Sequence, residues 1–134
     1  MVGKAARDAQ RLAVTVISRN RATLDELQTY LGGADIDAQC EQTIDDIARG
    51  MAPACRALVV FPDDFPWDVI DSALQSANVL HPRVLTIVVT ASPKRFETRA
   101  KNGAHPTLII PKPAFGWVIL DAIHGRLTAD SRAG

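Results

Sequence analysis

The sequence predicts an α/β protein, a three-layer sandwich with helices on both faces of a parallel five-stranded sheet. Three observations carry this. Short, nearly continuous apolar runs rich in Val and Ile punctuate the 134-residue chain: Leu12–Ile17, Leu58–Phe61, Val84–Val89 and Leu108–Ile110. Runs of that length are too short for helices and suit strands covered on both faces. Helical patterns with start and stop signals separate them, and such alternation through short connections implies right-handed crossovers.

The first run, Leu12–Ile17, is the first strand. Thr23-Leu-Asp-Glu26 has the form of a capping box, after which Leu24, Leu27 and Leu31 share one helical face and Gly32-Gly33 ends the helix. Asp35–Cys40 alternates, with Ile36, Ala38 and Cys40 on one side, as an edge strand does. Thr43 opens a short second helix with Asp45 and Asp46 in its first turn and Gly50 after it. Leu58–Phe61 is the third strand. Pro66 suits the first turn of a third helix that buries Ile70, Ala73, Leu74, Ala77 and Leu80. Val84–Val89 is the fourth strand, and Ser92-Pro93 starts a fourth helix that Asn102-Gly103 closes. Leu108–Ile110 is the last strand. Pro113 begins the last helix, which runs to about Leu127.

Residues 1–10 then form an N-terminal extension, 11–127 one domain, and 128–134 a frayed tail or the start of a linker. Five β-α units in one small domain match the flavodoxin-like strand order 2-1-3-4-5, with the alternating second strand at an edge. In that topology ligands bind at the carboxyl ends of the strands. The loops of interest are therefore Ser18–Ala22, Pro62–Pro66, Thr90–Pro93 and Pro111–Pro113.

Composition narrows the function classes. Fifteen Lys and Arg balance fifteen Asp and Glu, so no net field draws the chain to nucleic acid or to an anionic membrane. No apolar run approaches the ~20 residues of a membrane span. Met1–Arg11 has no apolar core of a signal peptide. The two cysteines, Cys40 and Cys55, are expected as thiols in a reducing cytosol, without the basic surroundings of a reactive thiolate. The expected location is cytoplasmic.

At the strand-end loops the sequence resembles the receiver domain of bacterial two-component response regulators. Val88-Val89-Thr90-Ala91 is similar to the end of that family's fourth strand, with its switch Thr or Ser followed by Ala. Gly103-Ala104 resembles the close of its fourth helix, and Lys112-Pro113 its Lys-Pro, where the peptide bond is usually cis. Phe65-Pro66 stands where the family has Met-Pro after the phosphorylated Asp. The resemblance spans about residues 11–127.

The departures fall on the chemistry. Where the family carries two acidic residues after its first strand to hold Mg²⁺, this chain reads Ser18-Arg19. Four positions before Pro66, where the resemblance implies the phosphoacceptor, stands Pro62, followed by Asp63 and Asp64. Ile109 occupies the usual place of an aromatic switch residue. Mg²⁺ prefers carboxylate and water oxygens, and phosphoryl transfer depends on the cation to neutralise charge on the phosphoryl oxygens. Replacing the acid pair removes about two negative charges and adds a guanidinium. Arg19 is expected to fill the cation's place and pair with Asp63 or Asp64.

Other constellations carry less. His81, His105 and His124 lie on different elements without ligand spacing, so no metal site is expected. Ser18–Thr23 lacks the glycine of a flavin phosphate loop, and no cofactor is expected. On the last helix, Phe115, Val118, Ile119, Ala122 and Ile123 form the core stripe, while Trp117, Leu120 and His124 fall opposite. Tryptophan is enriched in interface hot spots. The fourth helix shows Lys94, Arg95, Arg99 and Lys101 to solvent and offers Phe96 and Ala100 to the core.

These features point to a non-enzymatic receiver-like interaction module of bacterial signal transduction that works without phosphorylation. Its crevice is a vestigial phosphorylation pocket formed by Ser18, Arg19, Pro62, Asp63, Asp64, Thr90 and Lys112. The resemblance implies that the face of helix 4, strand 5 and helix 5 binds a protein partner or a second copy, here through Phe96, Arg99, Lys101, Trp117, Leu120 and His124. Nucleic acid and membrane are not expected partners. The alternatives are a functional receiver with a displaced acceptor, Asp63, and a dimerisation domain from a longer protein.

Overall fold

A computed structural model gives the fold, and it describes residues 12–44, 50–51, 54–97, 106–114 and 116–133. The described strands are β1 (Leu12–Ile17), β2 (Ile36–Glu41), β3 (Cys55–Val60), β4 (Leu85–Thr90) and β5 (Thr107–Pro111). The helices with described bounds are α1 (Arg21–Gly33), α2 (Trp67–Leu80) and α3 (Gly116–Ala133), and a single 3-10 turn, Pro62–Asp64, follows β3. Residues 94–97 are also helical. The strands form one parallel sheet in the order β2-β1-β3-β4-β5, the flavodoxin-like order with β2 at an edge.

The apolar runs are continuous because successive side chains enter different cores. A strand alternates its faces residue by residue. Val14, Val16, Val59, Ile87 and Val89 join Leu24, Leu27 and Leu31 of α1 and Ile119 and Ile123 of α3 on one side. Ile17, Leu58, Val60 and Val88 join Ile70, Leu74 and Ala77 of α2, together with Phe96, on the other. All six residues of β4 are buried, as a central strand between two helical layers requires.

Several element details differ from expectation. The cap of α1 is Asn20, not Thr23: its side-chain oxygen accepts from the Ala22 and Thr23 N–H groups at 3.0 and 3.3 Å. Helix α1 ends at Gly33, and Asp35 turns the chain into β2 with φ 64°. Pro66 caps α2 rather than lying in its first turn, and Leu80, at the helix end, is 54% exposed instead of buried. Pro113 does not begin the last helix. It follows a cis peptide bond with Lys112 in a loop, and α3 starts three residues later at Gly116. That helix continues to Ala133, so much of the expected tail is helical. Most of the expected second helix, the close of the fourth helix and residues 1–11 lie outside the described residues.

Candidate functional site

The carboxyl ends of four strands meet at one crevice. Ser18 follows β1 and is buried, with its N–H on the Glu41 carbonyl at 3.1 Å. Phe61 follows β3 and bonds the Ile17 carbonyl at 3.0 Å, which brings the 3-10 turn alongside Ser18. Thr90 ends β4, fully buried, and its carbonyl accepts from the Lys112 N–H at 3.0 Å just beyond β5. The strand ends thereby place Ser18 within reach of Asp64, and Thr90 and Lys112 within reach of Asp63, on the turn that Pro62 opens.

The two aspartates of the turn face different partners. The Thr90 hydroxyl donates to Asp63 Oδ1 at 2.7 Å, and the Ala91 N–H donates to Asp63 Oδ2 at 2.8 Å. Lys112 Nζ lies 3.4 Å from the same Oδ2, each side chain about one-third exposed. Burial pushes the Asp63 carboxyl up, but the Ala91 N–H, the Thr90 hydroxyl and the Lys112 ammonium together outweigh it and hold the group below its ordinary value of 3.8. An ion pair this exposed is worth only about 0–1 kcal/mol. The two directional bonds to a charged acceptor are the stronger restraint. Asp64 turns the other way. Its Oδ2 accepts from the Ser18 hydroxyl at 2.8 Å and from the Arg19 N–H at 3.0 Å, while Ser18 Oγ accepts from the Asn20 N–H at 3.1 Å.

Arg19 corrects one expectation. It reaches Asp64 through its backbone, and its guanidinium lies over the Phe65 ring, 5.6 Å from the centroid. The ring quadrupole, not a carboxylate, is its neighbour there. A dication does not fit the residues present. The place of an acid pair holds Ser18, whose hydroxyl is a donor to Asp64, and Arg19; the remaining carboxylates, Asp63 and Asp64, are aimed apart and already bonded. Among the described residues, no three His, Cys, Asp or Glu side chains gather as metal ligands.

The expected partner face is divided by burial. Trp117 is 55% exposed and His124 is exposed, but Leu120 packs partly against the core. Phe96 is only 2% exposed, so it is a core residue and not a contact residue. Arg99 and Lys101 lie outside the described residues. Near the crevice, sequence reasoning missed Trp67. It is 41% exposed, meets Phe96 edge-on at 5.3 Å, and carries the Arg95 guanidinium over its ring at 4.8 Å. Its position directly after Pro66 was the available signal. Cys40 and Cys55 are free thiols; burial, with Asp25 and Glu41 nearby, pushes the Cys40 thiol up, away from reactive thiolate character.

No protein-family model matches the chain, and no curated protein matches it in sequence. Solved structures do match in fold. The chain is similar to a CheY-like response regulator receiver domain protein of Methanospirillum hungatei, with TM-score 0.78 at 16% identity over 93% of this chain and 100% of that one. It is similar to a receiver protein of Sinorhizobium medicae, with TM-score 0.69 at 16% identity over 90% and 98% of the two chains. A chemotaxis response regulator of Vibrio cholerae gives TM-score 0.70 at 10% identity over 86% and 98%. Strand order, strand-end crevice and cis Lys112–Pro113 bond thus belong to a chain with the fold of the response regulator receiver domains.

Proposed function

We propose that this chain is a receiver-like protein-interaction module of bacterial signal transduction that operates without phosphorylation and is not an enzyme. The observation that carries the reading is the state of the crevice: both Asp63 oxygens are engaged by Thr90, Ala91 and Lys112, while Ser18 and Arg19 replace a cation's carboxylate cage. An incoming phosphoryl group would need a free carboxylate oxygen and a cation to neutralise its charge. The vestigial pocket is then scaffold, and binding falls to the exposed face near Trp117 and His124, which would meet a protein partner or a second copy. Large exposed aromatic side chains favour such contacts. The proposed location is cytoplasmic, and among the described residues no helix is long and apolar enough to cross a membrane.

The second reading, a receiver with Asp63 as displaced acceptor, has one observation in its favour: Asp63 stands beside Thr90 and Lys112. Intact-mass measurement after acetyl phosphate treatment in Mg²⁺ separates the two. No adduct is expected. A stoichiometric phosphate adduct that disappears in Asp63→Asn would establish the second reading instead.

A further inference from the structure

We infer that Asp63 is a built-in anion lock: the chain supplies its own carboxylate to the donors of the crevice, and that carboxylate sets the 90–92 turn and, through it, the stacking of Arg95 on Trp67. The inference rests on the proposed function in one respect, that the resident anion of the crevice is the chain's own.

Two paths leave Asp63 and meet again. One follows the chain through Phe65, whose N–H bonds the Pro62 carbonyl, to Pro66, the cap of α2, and Trp67, its first residue. The other crosses the crevice. Asp63 Oδ1 holds the Thr90 hydroxyl, and the same hydroxyl oxygen accepts from the Ser92 N–H at 3.0 Å. Asp63 Oδ2 holds the Ala91 N–H between them. The 90–92 turn is therefore tied to one carboxylate by consecutive residues. The Ser92 carbonyl accepts from the Arg95 N–H at 3.1 Å and the Pro93 carbonyl from the Phe96 N–H at 3.1 Å, which starts the helical residues 94–97. Arg95 and Phe96 then close on Trp67 from two sides.

The loop is closed by contacts of unequal strength. Phe96 is buried and its removal would cost core packing, whereas the Arg95–Trp67 stack and the edge contact of Trp67 are partly exposed. Hydrogen bonds to a charged acceptor are stronger than neutral ones, so loss of the Asp63 charge weakens the ring at the turn and not at the core. The expected outcome is a shift of the turn and of Arg95 over the Trp67 ring, with the sheet unchanged.

The chain has two tryptophans, so Trp117→Phe leaves Trp67 as the only indole reporter. In that background Asp63→Asn is expected to raise acrylamide quenching of Trp67 by about twofold, as a local opening does. It is also expected to shift the amide resonances of Ala91, Ser92 and Arg95. Asp64→Asn, which touches the Ser18 side, is expected to leave both unchanged. Unaltered quenching and shifts in a folded Asp63→Asn overturn the inference, as does an equal response to Asp64→Asn. Should Asp63→Asn fail to fold, Lys112→Gln is expected to move the same amides in the same direction by less, and no movement overturns the inference. Neither cation nor phosphodonor is present in this test. A phosphate adduct would thus overturn the proposed function and leave the coupling to be judged by Trp67 alone.

Discussion

Asp63 and Asp64 are neighbours on one 3-10 turn, yet the crevice gives them opposite surroundings. Asp64 bonds the hydroxyl of Ser18 and the backbone of Arg19, and Asp63 bonds the far wall. The consequence is measurable in acid. A carboxyl held below its ordinary value of 3.8 in the folded state binds its proton later than in the unfolded chain. Between the two values the unfolded chain carries the extra proton, so stability rises with pH there. The contribution of Asp63 is fully present above the unfolded value and is lost as pH falls through the folded one. Urea unfolding followed downward from about pH 5 should therefore show a loss of stability below about pH 4 that is shallower in Asp63→Asn. Identical slopes in the two proteins would refute the stated environment of Asp63. At this scale the sequence was partly legible. The resemblance, counted back from Phe65-Pro66, puts a carboxylate one position beyond Pro62 near the crevice where the strand ends converge. The inward bond of Ser18 to Asp64 was not legible, because a hydroxyl in a loop has many competing partners. The same competition moved the cap of α1 to Asn20 from the capping box read at Thr23.

At the scale of elements, the strands were legible because burial on both faces leaves few polar residues to interrupt them. Their ends shifted by up to three residues where ladder bonds extend past the apolar run, as at Cys55-Arg56-Ala57 before Leu58. Helix ends were less legible. The sequence puts Pro113 at the start of the last helix, but the Lys112 N–H on the Thr90 carbonyl carries the ladder one residue past Pro111 and the helix starts only at Gly116. Helix α2 shows the same limit at its other end. Ile70, Leu74 and Ala77 follow the helical period into the core, but Val79 and Leu80, in the last turn, are exposed. Leu74→Ala should thus cost about 2–5 kcal/mol, since it opens a cavity in the core shared with Phe96. Leu80→Ser should stay within about 0.5 kcal/mol, as surface substitutions do. Denaturant midpoints of the two variants check this, and a Leu80→Ser cost comparable to that of Leu74→Ala would mean that α2 packs further toward its end than described.

At the scale of the whole molecule, the sheet separates two apolar cores. One helical layer, α1 and α3, encloses a core that includes Ile119 and Ile123, and α3 turns its opposite side outward with Trp117 and His124. Trp117 therefore has little part in the core, and its large apolar surface stays in water unless another molecule covers it. Its truncation separates fold from association more cleanly than any substitution at Phe96, which would damage the core first. Trp117→Ala should leave the unfolding midpoint within about 0.5 kcal/mol of the parent. If the face binds a second copy, sedimentation of the variant should show association weakened by at least about tenfold, the effect of losing about 1.4 kcal/mol at a hot spot. If it binds a different protein, the same loss should appear in pull-down of that partner while sedimentation of the isolated chain is unchanged. A variant that associates and binds like the parent would move the interaction surface away from α3. Trp67 and Tyr30, exposed aromatics among the described residues, would then be the next side chains to substitute.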